Sequence, residues 1–76
     1  MKAAILVFTE VGKFDEVVAG LKKIAGVKHA FTVAGRADVA ALVEVPDLKG
    51  LSNLTLKVFK TPGVTASETL VEMPGV

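Results

Sequence analysis

VAGRADVAALV, residues 33–43, sets two apolar runs on either side of a four-residue knot, Gly35-Arg36-Ala37-Asp38. The runs read as strands, over 27–34 and 38–45, and the knot as the loop that joins them. A two-residue hairpin loop is usually served by Asn-Gly or Asp-Gly. Here a glycine comes first, a carboxylate closes the loop and an arginine stands between them. The loop has enough polar chemistry to hold something besides its own turn.

Outward from this hairpin the pattern changes period. Upstream, Phe14, Val17, Val18, Leu21, Ile24 and Ala25 fall on one helical stripe, with Asp15, Glu16, Lys22 and Lys23 on the other side. The acids lie early and the lysines late, as the helix dipole prefers, and Gly26 is expected as the C-cap residue. Before this helix, residues 3–9 (AAILVFT) form a continuous apolar run of strand length. Downstream, Pro46-Asp47 starts a second helix with Leu48, Leu51, Thr55, Val58 and Phe59 on its stripe and Leu54 beside it. Thr61-Pro62-Gly63 stops that helix. Residues 64–73 form a fourth strand, and Pro74-Gly75-Val76 a frayed tail. The order is βαββαβ over a single domain, 1–76. The two halves echo each other, each reading helix end, Gly-Val, strand. This is the split βαβ pair of a ferredoxin-like α+β fold. Right-handed crossovers place both helices on one face of a four-stranded antiparallel sheet.

One face of the sheet therefore has no helix to cover it. In the third strand Val39, Ala41, Val43 and Val45 alternate with Ala40, Leu42 and Glu44. In the first, Ala4, Leu6 and Phe8 alternate with Ala3, Ile5 and Val7. In the first strand both sets are apolar, and the alternation does not say which set the helices cover. The chain is 76 residues long and 51% hydrophobic. A domain of this size buries only about 60% of the surface its unfolded chain exposes. The uncovered apolar face is expected to be a dimer interface.

Composition excludes several kinds of chemistry. Net charge is +1, with no run of like sign, so the basic patch of a nucleic-acid binder is missing. There is no cysteine, hence neither a disulfide nor a thiolate metal site. The only histidine, His29, has no evident nucleophile or carboxylate partner, and no HExxH, GxSxG, Walker or GxGxxG pattern occurs. Neither catalysis nor a cofactor is expected. Phe31 is the only aromatic of the second and third strands, read as the inner ones, which argues against a base-stacking sheet. The apolar start ends at Thr9-Glu10 with no cleavage site after it. No run approaches the ~20 residues that span a bilayer. A cytoplasmic protein with no membrane partner is expected.

Two features resist a bland reading: the loop Gly35–Asp38, and Thr65-Ala66-Ser67-Glu68-Thr69, which places hydroxyls and a carboxylate in an apolar strand. Together with Pro62-Gly63-Val64 and Thr69, Gly35-x-x-Asp38 on a βαββαβ order resembles the ligand-sensing domain of the Lrp/AsnC transcription regulators. That module is also called the regulation-of-amino-acid-metabolism (RAM) domain. The likeness covers about residues 3–74. Family regulators carry a helix-turn-helix before it, whereas here Met1 leads at once into the first strand, so a stand-alone sensing module without direct DNA binding is expected.

The resemblance implies an α-amino acid ligand, a dimer made by packing two sheets, and rings of dimers. It places the ligand in clefts between dimers near the Gly-x-x-Asp turn. It further implies that transcription could be influenced through hetero-assembly with full-length Lrp/AsnC regulators. The candidate site is Ala34, Gly35, Arg36, Ala37, Asp38, Ser67 and Thr69. Loop N–H groups suit a carboxylate, and Asp38 suits an ammonium. Arg36 either grips a carboxylate or faces solvent, and Asp38 either pairs with ligand or hydrogen-bonds backbone in the turn. The alternatives are an ACT-like amino-acid-binding domain, with its ligand loop at Glu10-Val11-Gly12, a small ferredoxin-like dimeric enzyme, and a purely structural oligomerisation module.

Overall fold

The computed structural model describes residues 1–75; Val76, the last residue of the expected tail, lies outside them. The chain runs β1 (Lys2–Thr9), α1 (Phe14–Lys22), β2 (Val27–Thr32), β3 (Val39–Glu44), α2 (Leu48–Phe59) and β4 (Val64–Val71). The strands form one antiparallel sheet in the order β2-β3-β1-β4. This is the ferredoxin-like α+β arrangement. The inner strands are β1 and β3, and β2 lies at an edge. That corrects the placing of the second strand inside the sheet and brings Phe8 of β1 to the centre.

The alternation along β1 and β3 sorts into a core set and an open set. Ile5, Val7, Val39 and Ala41 are wholly buried, and Ala3, Val43 and Val45 nearly so. They pack against Val17 and Leu21 of α1 and Leu51, Leu54 and Val58 of α2. The register puts Leu6 opposite Ala40 on one side and Glu68 on the other, and Ala4 between Leu42 and Leu70. These residues share the face that the helices do not cover.

α1 closes earlier than its stripe predicts. The N–H groups of Lys23 and Ile24 donate to the carbonyls of Gly20 and Leu21, at 3.2 and 3.0 Å. These i→i−3 bonds tighten the last turn and end the helix at Lys22. Lys23, not Gly26, is the C-cap. Gly26 instead turns the chain into β2 with φ +98°, and a Cβ there would stand 2.8 Å from Leu54 Cδ1.

α2 begins where Pro46-Asp47 predicts. Asp47 is extended, and its carboxylate accepts the Gly50 N–H at 2.8 Å. The buried stripe is rotated from the expected one. Leu54 joins Leu51 and Val58 in the core, while Leu48 and Phe59 are exposed.

Candidate functional site

The loop between β2 and β3 is fastened to the end of β1. Val33 N–H donates to the Asp38 carbonyl, and Asp38 N–H to the Val7 carbonyl, both at 3.0 Å. The regular β1–β3 pairing ends at Val7 and Val39. Beyond it the Asp38 side chain takes over, since Oδ2 accepts the Thr9 N–H at 2.8 Å, with Thr9 Oγ1 at 3.5 Å. Asp38 thus hydrogen-bonds the backbone of the neighbouring strand and not that of its own turn. Next to it Ala37 is buried.

The top of the loop is less occupied. None of the N–H groups of Ala34, Gly35, Arg36 and Ala37 donates to another described residue. Gly35 has φ +141°, and a Cβ added there would meet nothing within 4 Å. Its glycine therefore serves the backbone conformation, and the space beside it is open.

Arg36 has a partner that the sequence left unidentified. Its Nη2 donates to Glu68 Oε1 of β4 at 2.7 Å. β1 lies between the loop and β4 in the sheet, so the pair spans it. Glu68, opposite Leu6, belongs to the open face. The signal was present as a carboxylate in an otherwise apolar strand, but nothing local to either residue joins them, 32 positions apart.

Ser67 and Thr69 stand on the other side of the sheet. They are opposite the core residues Val7 and Ile5, and line a groove of about 430 Å³ with Leu48, Leu51, Ser52, Thr55 and Val71. Within one chain the candidate residues thus divide in two: the loop with Glu68 on the open side, and the hydroxyl pair beside α2.

The rest of the open face is apolar at its centre. Phe31, Leu42 and Leu70 are exposed on it, and Leu6 and Phe8 half-exposed. At the end away from the loop it dips into a depression of about 500 Å³, floored by Ala4, Leu42 and Leu70 and rimmed by Lys2, Lys28, His29, Glu44 and Glu72. Lys2 lies opposite Glu44, and its N–H donates to Glu72 Oε2 at 2.7 Å. Among the described residues no three His, Cys, Asp or Glu side chains gather as a metal site would need. No described helix is long and apolar enough to cross a membrane. Glu10-Val11-Gly12 forms a tight turn closed by Lys13 N–H on the Glu10 carbonyl at 3.0 Å.

A family model described as the Lrp/AsnC ligand binding domain matches residues 2–74. A hypothetical protein of Pyrococcus horikoshii is 34% identical with a TM-score of 0.85, over 95% of this chain and 88% of its own. A protein of Thermus thermophilus superposes with a TM-score of 0.91 at 22% identity, over 99% of this chain and 95% of its own. A transcriptional regulator of Neisseria meningitidis, solved in complex with L-Met, shares the fold at 19% identity and a TM-score of 0.85. That match spans 99% of this chain and 51% of the regulator. No curated protein matches the sequence.

Proposed function

Since the chain belongs to the Lrp/AsnC ligand binding domain family, we propose that it is an amino-acid-binding module that works by binding and assembly, not by catalysis, in the cytoplasm. The ligand site is the loop Ala34–Ala37, which Asp38 fastens to β1. What supports this most is the row of loop N–H groups, Ala34 to Ala37, that donate to no described residue, next to the open side of Gly35. Backbone N–H groups of a loop that donate to nothing else suit a carboxylate. The L-Met bound to the Neisseria regulator supports the ligand class. Ser67 and Thr69 serve as a second, hydroxyl-bearing wall, offered across a cleft by a neighbouring copy.

The assembly is a dimer through the open face. Exposed Phe31, Leu42 and Leu70 form an apolar centre, and Lys2, Glu44 and Glu72 carry both signs of charge at its rim. A two-fold contact of this face with itself can therefore match apolar to apolar and cation to anion. With net charge +1 the module has no electrostatic footprint for duplex DNA. Any effect on transcription passes through pairing with a full-length regulator of the family, and dimers can associate further into rings.

A thermal-shift screen of the twenty L-amino acids, with light scattering, tests this. A ligand held by the native form raises Tm by mass action. The expected result is a rise with at least one amino acid, and a mass of at least twice the 7.9 kDa chain. No shift at millimolar concentration of any of them would overturn the sensing role and leave an oligomerisation module.

A further inference from the structure

Resting on the amino-acid reading above, we propose that the Arg36–Glu68 pair is the clamp that recognises the ligand as a zwitterion, and that Glu68, not Asp38, takes its ammonium. The α-carboxylate docks on Arg36 and on the loop N–H groups. The α-ammonium, one carbon away, docks on the free side of the Glu68 carboxylate.

The two carboxylates near the loop differ in what they already hold. Asp38 Oδ2 accepts the Thr9 N–H at 2.8 Å and has Thr9 Oγ1 at 3.5 Å. It fastens the loop to β1, and turning it to a ligand would release that strand end. Glu68 holds only Arg36, through Oε1, at 2.7 Å. A carboxylate has about four acceptor positions and a guanidinium five N–H donors. A single-contact pair therefore leaves Oε2 and most of the Arg36 donors free. The arrangement offers a cation beside an anion, which is the complement of an amino acid's anion beside a cation.

Location favours the same pairing. Arg36 sits in the loop among N–H groups that donate to no described residue. Glu68 reaches it from β4, on the same face as Leu6. The side chains of Arg36 and Glu68 are 72% and 42% exposed. An exposed ion pair of this kind is weak, so rearranging it around a ligand costs little. The ligand thus extends the pair into a ring of four charges and need not expel either partner.

Calorimetric titration of the amino acid that stabilises the protein most, against the carboxylic acid that lacks only its amino group, tests the clamp. Native protein is expected to prefer the amino acid about ten- to a hundredfold, the worth of a charge-assisted hydrogen bond. Glu68→Gln keeps shape and polarity. It should abolish that preference while leaving affinity for the des-amino acid unchanged. Arg36→Gln should weaken both ligands alike. Asp38→Asn, which retains an acceptor for Thr9, should keep the preference. If Glu68→Gln retains the preference, or Asp38→Asn loses it, the clamp is overturned while amino-acid binding stands. Absence of binding by native protein to any of the twenty amino acids would remove both.

Discussion

Along β1, Ala3, Ile5 and Val7 face the helices, and Ala4, Leu6 and Phe8 face away from them. The two sets are equally apolar and differ by one residue in register, yet Ile5 and Val7 are wholly buried while Leu6 and Phe8 remain half-exposed. The same contrast runs through β3, where Ala41 and Val43 are buried and Leu42 is 41% exposed. Antiparallel sheets usually offer water a polar face. This one is apolar on one face and at the centre of the other, so one face supplies folding and the other leaves Phe31, Leu42 and Leu70 exposed. Charge marks the second face only at its margins, with Lys2, Glu44 and Glu72 at one end and Arg36 and Glu68 at the other.

The strongest way to break this contrast is to put a charge on each face in turn. Val43 is 3% exposed, between the sheet and the helices. Val43→Lys buries a charge without a partner, one of the few changes that cost more than about 4–5 kcal/mol. That is comparable to the whole stability of many small domains, and circular dichroism should show an unfolded chain at room temperature. One residue earlier, Leu42→Lys should leave a folded protein whose mass by light scattering falls towards the 7.9 kDa of one chain. Loss of fold in Leu42→Lys, or an unchanged assembly, would contradict the division of the faces.

A gentler pair sharpens it. Ile5 and Leu6 adjoin, and Ile5→Ala empties a wholly buried position. A large-to-small change of that kind costs about 2–5 kcal/mol whatever the assembly. Leu6→Ala should cost less, and its cost should shrink on dilution, since it acts through association. Urea melts at two protein concentrations separate the two variants. Equal losses that do not depend on concentration would mean that Leu6 belongs to the core.

Strand alternation, the start of α2 at Pro46-Asp47 and the βαββαβ order are legible in the sequence because each rests on neighbours along the chain. What is not legible depends on distance. Which set of β1 residues meets the helices is decided by the hand of the crossovers and the pleat, and both sets are apolar. The hairpin pattern alone sets the second strand inside the sheet, although the topology sends it to an edge. In α2 the apolar spacing sets Leu48, Leu51, Thr55, Val58 and Phe59 on the stripe with Leu54 beside it, but packing on the sheet turns Leu54 inward with Leu51 and Val58 and leaves Leu48 and Phe59 exposed. At the candidate site Gly35–Asp38 is visible as an odd loop. The partner of Arg36 is not, because Glu68 comes from the last strand. Nor is the hold of Asp38 on Thr9, which follows from where the β1–β3 pairing ends.

The smallest expected effect lies at that same end, where the two faces meet. Asp38 is the residue that carries the loop over the end of β1: its N–H still joins Val7, of the core set, and its carboxylate holds Thr9, just past Phe8 of the open set. Asp38→Ala removes the acceptor of the Thr9 N–H without emptying any core space. By analogy with a lost Asp cap it should lower stability by about 1 kcal/mol. For a domain of this size that is a fall in Tm of roughly 4–8 °C. Thr9 is only partly buried, so water can take over its N–H and keep the loss at this level. Asp38→Asn should recover most of it, because the amide oxygen can still accept. The dimer mass should stay unchanged in both variants, since neither alters the apolar centre of the open face. A drop far beyond this, or loss of the dimer, would mean that the loop supports the open face and does not merely border it.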